Sequence, residues 1–451
     1  MRFATALSLC IVLLAGVAQA APDTERVTLP NGLTVVAVHD SSSAVAAFHL
    51  AVRVDPLRLP DGRVGTSALS QQVAQLGLKD LYKQQPWVTL GEDVVNTRAS
   101  FSLNTEVDYC EVRAQVPGAA LPEALKLAAQ VQFSRPPCTP EQVAAAKDIL
   151  SNAVADACEN VVESTYYRFL RAYHGNQSPL AQPVEGTPET LMALSATDVN
   201  SFRATFIGPN NASLCVIGPQ PLQQLLTFAR EAFGAAAKAS ATLPKFTPPM
   251  PPAEPRISVA SLEKWRGVSL MVGLPVPTYG TRDYLRGQLI YTLLDGPHGR
   301  LQGDQELAGG FGLNQLMNRK DDEPMLTVLP PMATPQPFLI VHMMTIPRLM
   351  EAARGAILGH LLALATRPAE AAELAAAKER LINAYAMMQL SRLNMAKSVN
   401  CYELYGQDYK AAWEADKTIN AITPEELVTM AKPWLTTHAV GLIMPGEDQQ
   451  D

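Results

Sequence analysis

Three segments of this 451-residue chain occur twice in the same order, so any fold it adopts must build one unit two times. Ala144–Ala153 (AAAKDILSNA) returns as Ala375–Ala384 (AAAKERLINA), 231 residues on. Ser195–Val199 returns as Thr423–Leu427, and the strand-like Leu214–Gly218 returns as Leu442–Gly446, both 228 residues on. One alanine-rich match would be cheap, because helix formers favour such strings. Three matches in order, with a slip of three residues, favour an internal duplication.

Leu243–Pro255 carries six prolines, follows the alanine-rich Ala235–Ala241, and reads as an extended linker between the halves. In the first half, Val27–Leu29 and Leu33–Val38 flank a Pro30–Asn31–Gly32 turn, a hairpin signal. Ala47–Val54 reads as a strand and Gly65–Gln84 as a helix. Ala99–Leu103 and Tyr109–Val116 follow as strands, with a helix from Leu121. Thr139 caps the next helix, with Pro140 at its first position and Glu141 in its first turn. Hairpin strands with helices between them predict an α+β fold, with helices on one face of an antiparallel sheet. The division is residues 1–20 as leader, 21–234 and 258–451 as the two halves, and 235–257 as linker.

Arg2, the apolar run Ala4–Val17 and the small-residue site Ala18–Gln19–Ala20 read as a secretory leader cleaved before Ala21. The run is too short to span a bilayer, and no later run is expected to do so. Removing Arg2 with the leader takes the formal charge from −7 to −8, which argues against a nucleic-acid partner. Hydrophobic content of 47% and charged content of 18% fit a chain with a sizeable core. Five cysteines remain: Cys110, Cys138, Cys158, Cys215 and Cys401. With an odd number, at least one stays outside any bridge within the chain. A helix between Cys138 and Cys158 would hold them about 30 Å apart, beyond disulfide reach.

The segment Val64–Val73 (VGTSALSQQV) starts a helix just after the strand Ala47–Val54. Together with the opening Leu29–Pro30–Asn31–Gly32–Leu33, the stretch Gly91–Tyr109 and the paired closing strands, it resembles the M16 family of zinc peptidases (the pitrilysin, insulinase and mitochondrial processing peptidase group). That resemblance implies two similar α+β halves hinged as a clamshell. It also implies a zinc motif, His-x-x-Glu-His, at the helix start after a glycine. Here the glycine is Gly65, and the motif positions are Ala68, Gln71 and Gln72. Neither alanine nor an amide replaces a histidine or carboxylate ligand to zinc, and an amide cannot act as a general base. The family's third ligand maps to Asn152, with Asp148 and Asp156 as rival matches one turn away.

The family's second half supplies an arginine and a tyrosine seven residues apart, after a Ser-Arg-Leu element, to hold substrate and stabilise an oxyanion. Gly299–Arg300–Leu301 fits the element, but the pair falls at Glu306 and Leu313. The seven histidines contain no pair three or four residues apart, so no helix offers a two-histidine metal site. The glycine-rich run Asp295–Gly312 lacks a phosphate-loop spacing, and the resemblance makes it a candidate peptide-sensing loop. Ser261–Leu262–Glu263–Lys264 matches a Ser-x-x-Lys acyltransferase element, but its companion motifs are missing and four-residue patterns are cheap.

The sequence therefore predicts an exported, periplasmic M16-type homologue with no catalytic residues, metal or cofactor. It would pair as a heterodimer with an active M16 subunit to enclose peptide. Ser67, Gln71, Gln72, Asn152 and Arg300 are the expected peptide contacts. The alternatives are a structural scaffold and a metallopeptidase with a rebuilt zinc site around Asp148 or Asp156.

Overall fold

The structure, a computed structural model, describes residues 22–59, 63–83, 100–134, 136–244, 247–263, 265–296, 299–304, 307 and 326–446. The leader at 1–20, Glu306 and Leu313 lie outside these residues. The chain opens as a hairpin of β1 (Asp23–Thr28) and β2 (Thr34–His39). Gly32 makes the turn at φ 93°, and a Cβ there would lie 2.9 Å from Asn210 Cα, so only glycine fits. Asn31 donates its amide to Phe233 O at 2.7 Å and accepts from Leu33 N, which ties the turn to the rest of the first half.

The first half continues through β3 (Val45–Arg53), α1 (Thr66–Lys83), β4 (Ser100–Thr105), β5 (Tyr109–Pro117), α2 (Leu121–Phe133) and α3 (Pro140–Glu159). Then come α4 (Val161–His174), α5 (Pro188–Ala193), α6 (Ala196–Phe206), β6 (Ala212–Gly218) and α7 (Leu222–Phe233). The second half comprises β7 (Arg256–Leu262), β8 (Val268–Pro275), α8 (Arg282–Leu294), β9 (Leu326–Leu329), β10 (Phe338–Thr345) and α9 (Met350–Thr366). It ends with α10 (Ala371–Gln389), α11 (Arg392–Leu404), α12 (Ala415–Asn420), α13 (Pro424–Ala431), α14 (Trp434–Thr437) and β11 (Ala439–Pro445). β7 starts inside the stretch read as linker.

The duplication is visible in strand order. The sheets run β1-β2-β6-β3-β5-β4 and β7-β11-β8-β10-β9, so the second repeats the first without its outer hairpin strand. Each sheet is mostly antiparallel, but its closing strand returns beside the opening one as a parallel pair, β2 with β6 and β7 with β11. The repeated Ser195 and Thr423 segments are both helix starts, each a reciprocal cap with Asp198 or Glu426 three residues on.

Each sheet carries its own helices on one face, as expected. The other face is covered by a helix from the opposite half. α4, from the first half, lies across β11, β7 and β8, while α11, from the second, lies across β3 and β6. Under α4, Phe169 is fully buried with Met271, Phe338 and Ala439, and Thr165 Oγ1 donates to Ser269 Oγ at 2.7 Å. The close approach depends on Gly273 and Gly441: a Cβ on the first would enter the Phe169 ring, and one on the second would meet the α4 backbone. At the start of α11, buried Arg392 pairs with Asp40 at 2.7 Å and donates to the carbonyls of Asp40, Ser43 and Val45. At its far end, Glu403 takes both ends of the Arg26 guanidinium at 2.7 and 2.8 Å.

Asp108 sits where the halves meet, 3% exposed, with Tyr405, just past the end of α11, donating to it at 3.4 Å. Burial pushes its carboxyl up to about 7. No disulfide joins the five cysteines; Cys158 is exposed and the others are buried. The helix over Pro347–Thr366 is apolar and long enough to cross a membrane, with mean hydropathy 1.2, which the sequence reading did not expect. Its Ala353, Ile357, Leu361 and Leu364 join the second-half core, and its Glu351 and Arg354 form an ion pair.

Gly273→Ala is expected to lower stability by about 1–3 kcal/mol, the range for overpacking, in denaturant unfolding. An unchanged midpoint would mean that α4 is not seated on the sheet as described. Asp108 carries a sign that can be checked. Its folded pKa is raised above the unfolded one, so it costs nothing below about pH 4 and an increasing amount up to about pH 7. Asp108→Asn should therefore stabilise the chain relative to wild type by an amount that grows from pH 4 to pH 7 and is flat above. A difference that does not change with pH would refute the assignment.

Candidate functional site

Gly65, at φ 93°, lets α1 begin against the 183–188 segment, where a Cβ would meet Glu185 O and Gly186. From there the degenerate motif positions are carried into an apolar seam. Ala68, Leu69 and Val73 of α1 pack with Val143, Ala146, Leu150 and Val154 of α3. Ala68 is 6% exposed. Gln71 is buried and donates Nε2 to Glu111 O at 3.1 Å, and Gln72 is half-buried.

Asn152 does not face this seam. It lies two residues, or about 200°, around α3 from Leu150, and its side chain is exposed, as are those of Asp148 and Asp156. The third-ligand position that faces α1 is apolar, at Ala146, Leu150 or Val154. Alanine, two amides and a wall of aliphatic side chains do not fit a zinc ion, whose ligands are thiolate, imidazole or carboxylate. Among the described residues, no three His, Cys, Asp or Glu side chains converge as a metal would need.

Three of the expected peptide contacts are buried or already have partners within the chain. Ser67 is buried at 6% exposure and Gln71 is spent on a backbone carbonyl. Arg300 is held by both carboxylate oxygens of Glu373, at 2.6 and 2.8 Å. Ser261 of the Ser-x-x-Lys element lies on β7, exposed, and Lys264 lies outside the described residues.

Below α1 the sheet holds a buried polar cluster that the sequence reading missed. His49 of β3 is fully buried, with Nε2 2.8 Å from Glu111 Oε2 on β5. Asn400 of α11 places Nδ2 2.9 Å from His49 Nδ1, and also within 3.0 and 3.1 Å of the carbonyls of His49 and Ser213. Donation from Asn400 leaves Nδ1 as the acceptor, so the imidazole proton sits on Nε2 and is given to Glu111. Burial holds His49 below its usual pKa despite the carboxylate beside it. Burial works against the Glu111 charge too, but His49, Lys397 and Asn104 outweigh it and keep the carboxyl well below the usual range. Lys397 reaches Glu111 at 3.1 Å and Glu106 at 3.0 Å, which holds it charged against its own burial. The available signal was a histidine in the otherwise apolar strand Ala46–Val52.

The second-half counterpart of the seam is open. α8 and α10 stand where α1 and α3 stand in the first half, and between them and α11 is a cavity of about 570 Å³. Tyr279, Tyr284, Tyr291 and Tyr385 line it, with Arg380 and Lys397.

Residues 193–314 match the family model described as the Peptidase M16 inactive domain. A protease from Helicobacter pylori matches in structure with a TM-score of 0.79 at 16% identity, covering 94% of this chain and all of its own. The peptidase M16 inactive domain from Pseudomonas fluorescens gives 0.78 at 15%, covering 94% of this chain and 98% of its own. The fold of this chain is M16-like. A chain of Complex III2 from Candida albicans also matches, with a TM-score of 0.68 at 14% identity, over 95% of this chain and 97% of its own. No curated protein matches the chain.

Within the M16 fold, restoring the motif residues should not restore a site, because the facing helix gives no third ligand. Ala68→His with Gln71→Glu and Gln72→His is expected to lower the unfolding midpoint, because an imidazole overfills the α1–α3 seam. The cost is about 1–3 kcal/mol. The variant should cleave no internally quenched peptide. Zinc-dependent cleavage by it would show that the seam can open to a working metal site.

Proposed function

We propose that this chain is the non-catalytic member of an M16 pair, exported to the periplasm, where it closes with an active zinc subunit around a peptide. The observation that carries this reading is the α1–α3 seam. The helix that would hold zinc starts just after Gly65, while Ala68 is packed into the apolar seam, Gln71 is spent on a backbone carbonyl and Gln72 is an amide. The match of residues 193–314 to an inactive-domain family supports it, as does the Pseudomonas fluorescens likeness. The pairing is argued from the fold: a chain with two halves forms one side of an enclosure, and a second chain completes it and covers apolar surface. The leader-like first 20 residues support the export.

A scaffold without a peptide role is the second reading, and the likeness to a Candida albicans Complex III2 chain favours it. Purification of the untagged mature chain, elemental analysis after zinc loading, and recovery of its partner from the native host separate the readings. The expected result is near-zero zinc and a stoichiometric complex with a protein carrying an intact His-x-x-Glu-His motif. One zinc per chain would overturn the proposal in favour of a rebuilt site. A stable assembly made only of non-peptidase proteins would overturn it in favour of the scaffold.

A further inference from the structure

A second pocket, of about 510 Å³, lies where α3 and α4 of the first half meet β7 of the second. Its size is that of a site for a small ligand or a peptide segment. Arg168 and Arg171, three residues apart and so on one face of α4, both line it and are half-buried. Among the described residues neither side chain has a hydrogen bond or ion pair, and Arg171 Nε is buried without a partner. Burial and the neighbouring Arg171 charge lower the Arg168 pKa, and no carboxylate acts to raise it. Glu163 and Glu185 are in the lining, but neither comes within ion-pair distance of the two guanidinium groups. Two adjacent, part-buried cations without an ion-pair partner are costly alone and are relieved by an anion in direct contact.

The far wall identifies the kind of anion. Ala260 and Leu262 of β7 line the pocket, and among the described residues β7 is an edge strand paired only with β11. Its alternate residues Ile257 and Val259 are exposed at 49% and 54%, while Ser258, Ala260 and Leu262 are half-buried. A free edge offers backbone donors and acceptors to an extended chain, and arginine forks match carboxylates in two-bond geometry. The pocket also adjoins the degenerate helix, since Val154 lines both and Glu185 lies against Gly65.

We propose that this pocket binds an acidic peptide segment, with its carboxylates on Arg168 and Arg171 and its backbone against the β7 edge. This deepens the peptide-binding part of the function proposed above and does not depend on the pairing. The test uses the full mature chain alone, so its failure leaves the zinc and partner results unaffected. A short fluorescein-labelled peptide of alternating Glu and Gly, and its Gln–Gly counterpart, are titrated at low salt and followed by anisotropy. The expected result is binding of the Glu peptide at least about tenfold tighter than the Gln peptide. The double variant R168Q/R171Q should lose about tenfold or more for the Glu peptide, with a melting temperature equal to or above wild type, because the like-charge contact is gone. Equal affinity for the two peptides, or full affinity in the double variant, would overturn the proposal. A lower melting temperature in the double variant with peptide affinity unchanged would make the arginines structural. Stabilisation by inorganic phosphate that requires both arginines, without binding of the Glu peptide, would make this a small-anion site and overturn the peptide assignment.

Discussion

The exchange of helices between the halves is the constraint on which the rest of this structure depends. A sheet needs both faces covered when its strands are apolar on both sides, and β3, β6, β8 and β11 are buried along nearly their whole length. Among the described residues, neither half supplies a helix of its own for its second face. α4 and α11 supply them across the boundary, so the halves stabilise each other by burial rather than through a hinge alone. The attachment of α4 is steric, built on Phe169 over Gly273 and Gly441. That of α11 is polar, built on Arg392 at one end, Asn400 and Lys397 in the middle, and Glu403 at the other.

That difference explains the buried charge below α1. His49 and Glu111 stand on the sheet face that α11 covers, and removing them from water is costly unless each is matched. Asn400 fixes the imidazole tautomer and Lys397 balances the carboxylate, so His49 and Glu111 have these partners only when α11 is seated. The same α11 side chain, Lys397, then forms part of the wall of the tyrosine-lined cavity. The duplicated unit has thus taken two forms. Aliphatic side chains close the seam in the first half, and its counterpart in the second half opens into a cavity under bulky tyrosines.

Much of the fold was legible because its signals are local. The Pro30–Asn31–Gly32 turn, the Thr139 cap and the repeated Ser195 and Thr423 caps each specify backbone geometry within four residues. The strands around them alternate or run apolar as strands do. The departure of Ala68, Gln71 and Gln72 from a His-x-x-Glu-His pattern was legible for the same reason, since the three lie within five residues on one helix. The position of Asn152 was not. It was mapped by counting along the chain, and a two-residue error on a helix turns a side chain to the opposite face. The burial of Ser67 and Gln71 was not legible either, because a polar residue on a helix can be satisfied inside, as Gln71 is by a backbone carbonyl.

The cluster of His49, Glu111, Lys397 and Asn400 draws on residues up to 351 positions apart, and no spacing rule brings them together. The pocket of Arg168, Arg171 and β7 arises for the same reason, where a first-half helix crosses onto a second-half strand. The sequence by itself determined that this chain makes one α+β unit twice and carries alanine and two amides at Ala68, Gln71 and Gln72, because those properties reside in turns, caps and a single helix. Only the tertiary structure decided which faces the helices cover, which polar groups are buried together and where cavities remain. Those depend on packing between segments that are distant in sequence, and the energy of such contacts is not encoded at any one of them.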